Sequence, residues 1–265
     1  MNKRNSGLIG RFRQHRLAVA AVLLLALAAM ILSARRDREV NSLYAEAAGS
    51  PAQDSLLSKA AAKKLGAYGG AKATEALLAI ALGNTPSDFV ETRCEAIQSL
   101  HSRMNPQIAA SLSALLKPHV PLLIRVEVSE ALNTTSCNAS CVGSTLHYLE
   151  RVWWGDRDYE DRVVWPPEFR VFTRTEPEDH NRLRRNLYRV LKANQIEAVP
   201  LLRDVYGLGS IAPSTFAVVV AAEANLANAC GLLLRSETAL DKTPPEQLQG
   251  PRAELKKSVL ALDCR

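Results

Sequence analysis

The hydrophobic pattern begins with one uninterrupted apolar run. Residues 17–34 contain no charged side chain, and Ser33 is the single polar one. As an α-helix, a run of this length rises about 27 Å, close to the hydrocarbon thickness of a bilayer. The pattern therefore predicts a transmembrane signal-anchor at residues 17–34. It would follow a cytoplasmic basic N-terminus (1–16) and precede a polar juxtamembrane linker (35–49), into which the anchor helix could briefly continue.

The charges around this run predict its orientation. Five cations and no acid precede it: Lys3, Arg4, Arg11, Arg13 and Arg16. Because such an excess favours the cytoplasmic side, we expect the C-terminal domain in the periplasm or outside the cell. A cleaved signal peptide is the alternative. Its apolar core would be shorter, about 7–15 residues, and the A-x-A at Ala45 and Ala47 lies far past the run. Both interpretations export the bulk of the chain across the inner (cell) membrane.

The net charge of +6 is a property of the N-terminus. Residues 1–36 hold seven of the 33 Lys and Arg residues and no acid, which leaves 26 cations against 27 acids in the remainder. The exported part is therefore nearly neutral. It lacks the basic surface by which DNA-binding proteins are recognised, so nucleic acid is not expected as a partner.

From residue 50 to 265 the pattern changes to many short helices. Four helix starts pair a capping residue with proline at the first helical position, where no backbone N–H is needed. Residues 175–178 add the spacing of a capping box. Aromatic content is only 5%. These features predict an all-α domain. The four starts are Ser50-Pro51, Thr85-Pro86, Asn105-Pro106 and Thr243-Pro244.

Two of the predicted helices are alike. Residues 93–100 (RCEAIQSL) align with residues 125–132 (RVEVSEAL) at an offset of 32, and the Arg, Glu and Leu positions coincide. Helix pairs that repeat every 30–40 residues are typical of α-solenoids. A closed helical bundle is the competing fold.

The strings VETRCEAIQSL and LLIRVEVSEAL resemble the second helices of HEAT repeats, and residues 59–135 carry the resemblance. It implies a HEAT-like α-solenoid of short helix pairs with a concave face. Proteins of this family mostly act as protein-binding scaffolds. The resemblance implies no catalytic residue and no cofactor.

An aromatic-rich insertion, residues 148–172, interrupts this pattern. It holds all three tryptophans (Trp153, Trp154 and Trp165), and Pro166-Pro167 divides it. Proline pairs end helices, so the segment is predicted to form a long loop or a short hairpin. Its aromatic side chains either pack the insertion onto neighbouring helices or form a contact surface for a partner protein.

A basic stripe follows the insertion. Its four cations share one face of a predicted helix, nearly opposite an apolar face that begins at Leu183. Such a stripe is either ordinary solvated surface or a site for an acidic partner protein or an anionic envelope polymer. The stripe consists of Arg182, Arg185, Arg189 and Lys192.

The five cysteines suggest disulfides, which an oxidising compartment permits. Cys137 and Cys141 are the pair nearest in sequence, and Cys230 and Cys264 are a possible second pair. Cys94 is then left as a small buried hydrophobic residue. A metal site is less well supported because no second Cys or His pair has a zinc-like spacing.

No catalytic motif is present in the sequence, and the five histidines are scattered. The leading hypothesis is a membrane-anchored, extracytoplasmic scaffold or adaptor of the cell envelope that binds an unknown protein partner and is not an enzyme. The short basic N-terminus with a Leu/Ala-rich anchor is typical of bacteria. The alternative is an envelope enzyme, or an enzyme accessory subunit, with its site near the aromatic insertion.

Overall fold

A computed structural model describes residues 6–49, 54–86, 88–153, 177–206 and 211–226. Every secondary-structure element in these ranges is helical, which confirms the all-α prediction for the described part of the chain. A 3-10 turn (His101–Arg103) and a π-helical turn (Leu202–Tyr206) accompany ten α-helices. These are α1 (Ser6–Ala48), α2 (Ser55–Ala67), α3 (Ala71–Ala81), α4 (Val90–Leu100), α5 (Pro106–Ser113), α6 (Leu122–Leu132), α7 (Ala139–Trp153), α8 (Pro177–Ala193), α9 (Gln195–Leu201) and α10 (Ile211–Glu223).

Helix α1 is one continuous helix of 43 residues with two different surroundings. Its large apolar side chains from Val22 to Leu32 are 51–71% exposed. Its last turns instead pack against α2 and α3, where Val40 and Ala47 are buried. The stretch interpreted as a linker, residues 35–49, is therefore helical for nearly its whole length, and its second half belongs to the packed core. Within the described part of the chain, no helix combines the length and apolarity that crossing a membrane requires.

Alternate helices pack on one another along the chain. Helix α2 contacts α4, α4 contacts α6, and α6 contacts α8. The intervening helices also contact their neighbours: α3 lies on α4, α5 lies on α6 and α7, and α7 lies on α8. A continuous core runs through these contacts and includes Leu65, Leu77, Ile97, Leu112, Leu132 and Leu187.

Helices α4 and α6 show the predicted correspondence in their bounds and burial. Each has 11 residues, and their first residues, Val90 and Leu122, are 32 positions apart. The matched arginines, Arg93 and Arg125, are both buried. The matched leucines that end the two helices are buried as well. The shared sequence pattern therefore produces the same local packing twice.

The predicted helix starts have mixed outcomes. The start at Asn105-Pro106 is confirmed: the Asn105 side chain accepts hydrogen bonds from the N–H groups of Gln107 and Ile108, with proline at the first helical position. The start at Thr85-Pro86 is wrong, because α4 begins at Val90. Asp88, which lies just before α4, pairs with Arg93 at 2.7 Å. The starts at positions 50–51 and 243–244 and the cap at 175 lie outside the described residues.

We predict that Asn105→Ala lowers the free energy of unfolding by about 1 kcal/mol, because two N–H groups at the start of α5 lose their acceptor. Thermal melts of the full chain in detergent would measure the loss. Gln107→Ala is the matched control, since it changes an exposed side chain in the same turn and leaves the cap intact. Equal melting temperatures for Asn105→Ala and the control would show that the cap contributes nothing.

The expected loop or hairpin at residues 148–172 is wrong for its first six residues, which continue α7 to Trp153. Tyr148 is buried, and its hydroxyl accepts a hydrogen bond from the Arg125 guanidinium at 3.0 Å. This hydrogen bond holds Tyr148 inside the helical core. Spacing along the sequence could not predict it, because Arg125 lies on a different helix. The rest of the insertion, residues 154–172, lies outside the described residues.

Candidate functional site

Helix α8 has one basic face and one apolar face. The four cations of the stripe, Arg182, Arg185, Arg189 and Lys192, are all exposed. The opposite face is buried and consists of Leu183, Leu187, Val190 and Leu191. The helical geometry predicted for the stripe is thus confirmed, and the four side chains face solvent from one side of α8.

The first cation of the stripe differs from the others. Arg182 forms an ion pair with Glu130 of α6, so part of its charge is neutralised within the domain. Within the described part of the chain, Arg185, Arg189 and Lys192 form no ion pair. Within the stripe, the positive charge available to a ligand is therefore that of Arg185, Arg189 and Lys192.

Two buried side chains hold α8 in place beneath this face. The Asn186 amide donates to the Ser129 hydroxyl of α6 at 3.1 Å, and both residues are buried. Ser129 in turn donates to the Val126 carbonyl at 2.6 Å. Because a buried amide fixes the rotation of its helix, the basic face is presented in one orientation.

A buried asparagine joins the other end of α8 to a disulfide loop at the start of α7. Cys137 and Cys141 form the disulfide predicted from their proximity. The Asn194 side chain accepts from the Cys137 N–H at 2.8 Å and donates to the Val190 carbonyl at 2.8 Å. Asn194 therefore connects the disulfide loop to the end of α8.

The other three cysteines are Cys94, Cys230 and Cys264. Cys94 is a buried free thiol, as expected, and burial is the main reason that its pKa is raised to about 12. It is therefore a packing residue rather than a reactive one. Cys230 and Cys264 lie outside the described residues, so their pairing stays a prediction.

A buried acid lies where α4 meets α6, and sequence analysis missed it. Glu127 of α6 is only 8% exposed. Its burial raises the pKa of the carboxyl, while a hydrogen bond with Gln98 lowers it and the nearby Glu130 raises it further. One carboxyl oxygen of Glu127 and the Nε2 atom of His101 have no hydrogen-bond partner among the described residues. Glu127 matches Glu95 in the two aligned helices, but this match did not indicate burial, because Glu95 itself is more exposed.

The raised pKa makes a pH prediction with a definite sign. The folded state binds a proton on Glu127 at higher pH than the unfolded chain, whose carboxyl titrates near 4.5. The contribution of Glu127 to the free energy of unfolding therefore increases as pH falls through the raised pKa of the folded state. This contribution is largest below pH 4.5. We expect Glu127→Gln to raise the melting temperature at pH 7.5 and to remove part of this pH dependence.

Melts between pH 4.5 and 7.5 would measure the effect. Glu95→Gln is the matched control, because it removes a charge at the corresponding position of α4, where the side chain is more exposed. A Glu127→Gln protein that is less stable than wild type at pH 7.5 would mean that the charged carboxylate is needed for folding.

The three predicted tryptophan sites lie at the end of α7 and beyond it. Trp153 is the last residue of α7, and α7 packs on α8. Trp154 and Trp165 lie outside the described residues.

No group of three or more His, Cys, Asp or Glu side chains within the described ranges is arranged to hold a metal ion.

Comparisons with known proteins gave no match to a family model, a curated protein or a solved structure.

Proposed function

We propose that this protein is a membrane-anchored scaffold or adaptor of the cell envelope, without catalytic activity of its own. In this proposal residues 17–34 span the inner membrane, the N-terminus is cytoplasmic and the helical domain is extracytoplasmic. The observation that carries it is α1, a single helix that exposes apolar side chains in its first part and enters the domain core in its last turns.

The exposed apolar surface of α1 supports the anchor. Eight large apolar side chains project from all sides of the helix: Val22, Leu23, Leu24, Leu25, Leu27, Met30, Ile31 and Leu32. A helix that is apolar all round needs an apolar environment, and transferring eight such side chains out of water is worth on the order of 10 kcal/mol. The described side chains cover residues 22–34 of the run, and the sequence extends it back to Leu17.

The order of helix contacts supports a HEAT-like α-solenoid. In a solenoid each repeat contacts its neighbours, and equivalent helices stack side by side. The succession of α2, α4, α6 and α8 has this order, and the matched helices α4 and α6 touch directly. Such stacks present extended surfaces, and that is the physical basis for proposing a binding scaffold.

The basic face of α8 is the proposed partner site. Three exposed cations without ion pairs in the described chain lie on a helix that Asn186 holds in one orientation. An acidic protein surface is the complementary partner, because opposite charges steer association and suppress wrong partners. Trp153, Trp154 and Trp165 are proposed to contribute contact area at the same site.

Crosslinking in native membranes followed by mass spectrometry tests this function. We expect an acidic partner that wild-type protein captures, and capture slowed roughly tenfold by Arg185→Glu with Arg189→Glu. The control pair Lys59→Glu and Lys117→Glu reverses the same amount of charge at exposed positions away from α8. Equal capture by the α8 variant and the control pair would exclude this face as the site.

A further inference from the structure

Three side-chain contacts fasten the turn between α2 and α3 to one short part of α1. The Arg36 guanidinium donates to the Gly69 carbonyl, and the Tyr68 hydroxyl donates to the Glu39 carboxylate at 2.9 Å. Lys72 also lies 3.9 Å from the Asp37 carboxylate. Residues 68–72 are therefore held beside residues 36–39 of α1.

This position has a definite depth once residues 17–34 span a bilayer. Along a helix, Arg36 lies about 3 Å and Glu39 about 7.5 Å beyond Ala34. The headgroup layer on each side of a bilayer is about 5–8 Å thick. The α2–α3 turn consequently lies at the depth of the headgroups, and α1 reaches it without a flexible joint because the helix is continuous.

The chemistry of this region suits an anionic surface. Residues 35–39 and 63–75, here called the collar, carry six exposed cations and three exposed acids. An open groove of about 360 Å³ between α1 and α2 adjoins them, lined by Glu39, Ser42, Leu43, Lys64, Ala67 and Tyr68. The six cations are Arg35, Arg36, Arg38, Lys63, Lys64 and Lys72.

We propose that the collar binds the headgroups of anionic phospholipids and seats the helical domain directly on the membrane surface. This inference rests on the proposed anchor and deepens it by naming a second membrane contact. Cations near an anionic surface are attracted by its potential, which falls off within about 10 Å, and the collar is inside that distance. The domain is then held at a fixed tilt, with α8 presented at a constant height.

The experiment places the full chain in lipid nanodiscs and measures access to the turn. Ala71→Cys, an exposed position at the start of α3, is labelled with a membrane-impermeant maleimide in a Cys230→Ser, Cys264→Ser background. We expect labelling to be roughly tenfold slower in discs with anionic phospholipid than in discs with only zwitterionic lipid. Gln107→Cys, an exposed position on α5, should label equally in both.

Charge reversal within the collar supplies the second arm. Lys63→Glu with Lys64→Glu reverses two exposed collar cations outside the contacts that fasten the turn, and it should restore fast labelling of Ala71→Cys in anionic discs. Lys59→Glu with Lys117→Glu should leave the protection in place. If protein that has entered the disc labels at Ala71→Cys at the same rate with anionic and with zwitterionic lipid, the collar proposal is overturned. The anchor proposal is unaffected by that result.

Two further outcomes would also overturn the collar. Protein that fails to enter the disc at all would overturn the anchor together with the collar. Protection of Ala71→Cys in detergent by inorganic phosphate alone would show a site for a free anion instead of a membrane contact.

Discussion

Replacing Arg125 with alanine is expected to lower the free energy of unfolding by about 3–5 kcal/mol. The arginine is fully buried in α6, and its guanidinium lies 5.6 Å from the centre of the Tyr148 ring while donating to the hydroxyl of that residue. Removing it leaves a cavity and takes away a hydrogen bond between α6 and α7. Urea titration of the full chain in detergent, followed by circular dichroism, would measure the change.

The matched control is Arg93→Ala, at the corresponding position of α4. Arg93 bonds to the Ala81 carbonyl and to Asp88, whose side chain is 65% exposed. Water can solvate Asp88 after the arginine is lost, so we expect a smaller destabilisation. Arg125→Met should recover part of the loss, since it refills the cavity without a charge. A loss below about 1 kcal/mol for Arg125→Ala would show that the contact with Tyr148 does not support the fold.

Placing two arginines in the apolar part of α1 is expected to abolish membrane association. Leu24→Arg and Leu27→Arg lie near the middle of residues 17–34, where each arginine costs about 2.5–3.5 kcal/mol of insertion free energy. Both side chains are exposed, so the fold of the helical domain should be unaffected. Membrane sedimentation would measure association, and circular dichroism would confirm the helical content.

The control for this variant is Asn41→Arg with Ala45→Arg. Both positions are exposed on the same helix after the apolar run, and the added charge is identical. We expect the control to remain in the membrane fraction. Retention of the Leu24→Arg, Leu27→Arg protein in washed membranes would contradict the anchor.

The parts of this protein that sequence predicted correctly are those governed by local chemistry. The cap at Asn105 and the two faces of α8 depend on residues within one or two turns, so spacing alone was sufficient. The start at Thr85-Pro86 was wrong: α4 begins at Val90, and Asp88 just before it pairs with Arg93.

Tertiary contacts explain what the sequence interpretation missed. The packing of the end of α1 has a signal in the sequence, since Val40, Leu43, Tyr44 and Ala47 follow the spacing of one helix face. The hydrogen bond of Arg125 with Tyr148 joins two different helices, and Glu127 is a charged residue that is buried between helices. Such contacts have no signature in local spacing.

The central claim is that residues 17–34 cross the membrane once and place the helical domain outside the cytoplasm. The most direct measurement is a pair of fusions to the C-terminus of the full chain, one to a reporter that is active only after export and one to a reporter that is active only in the cytoplasm. The proposed topology predicts activity from the exported reporter alone. Activity from the cytoplasmic reporter alone would contradict it.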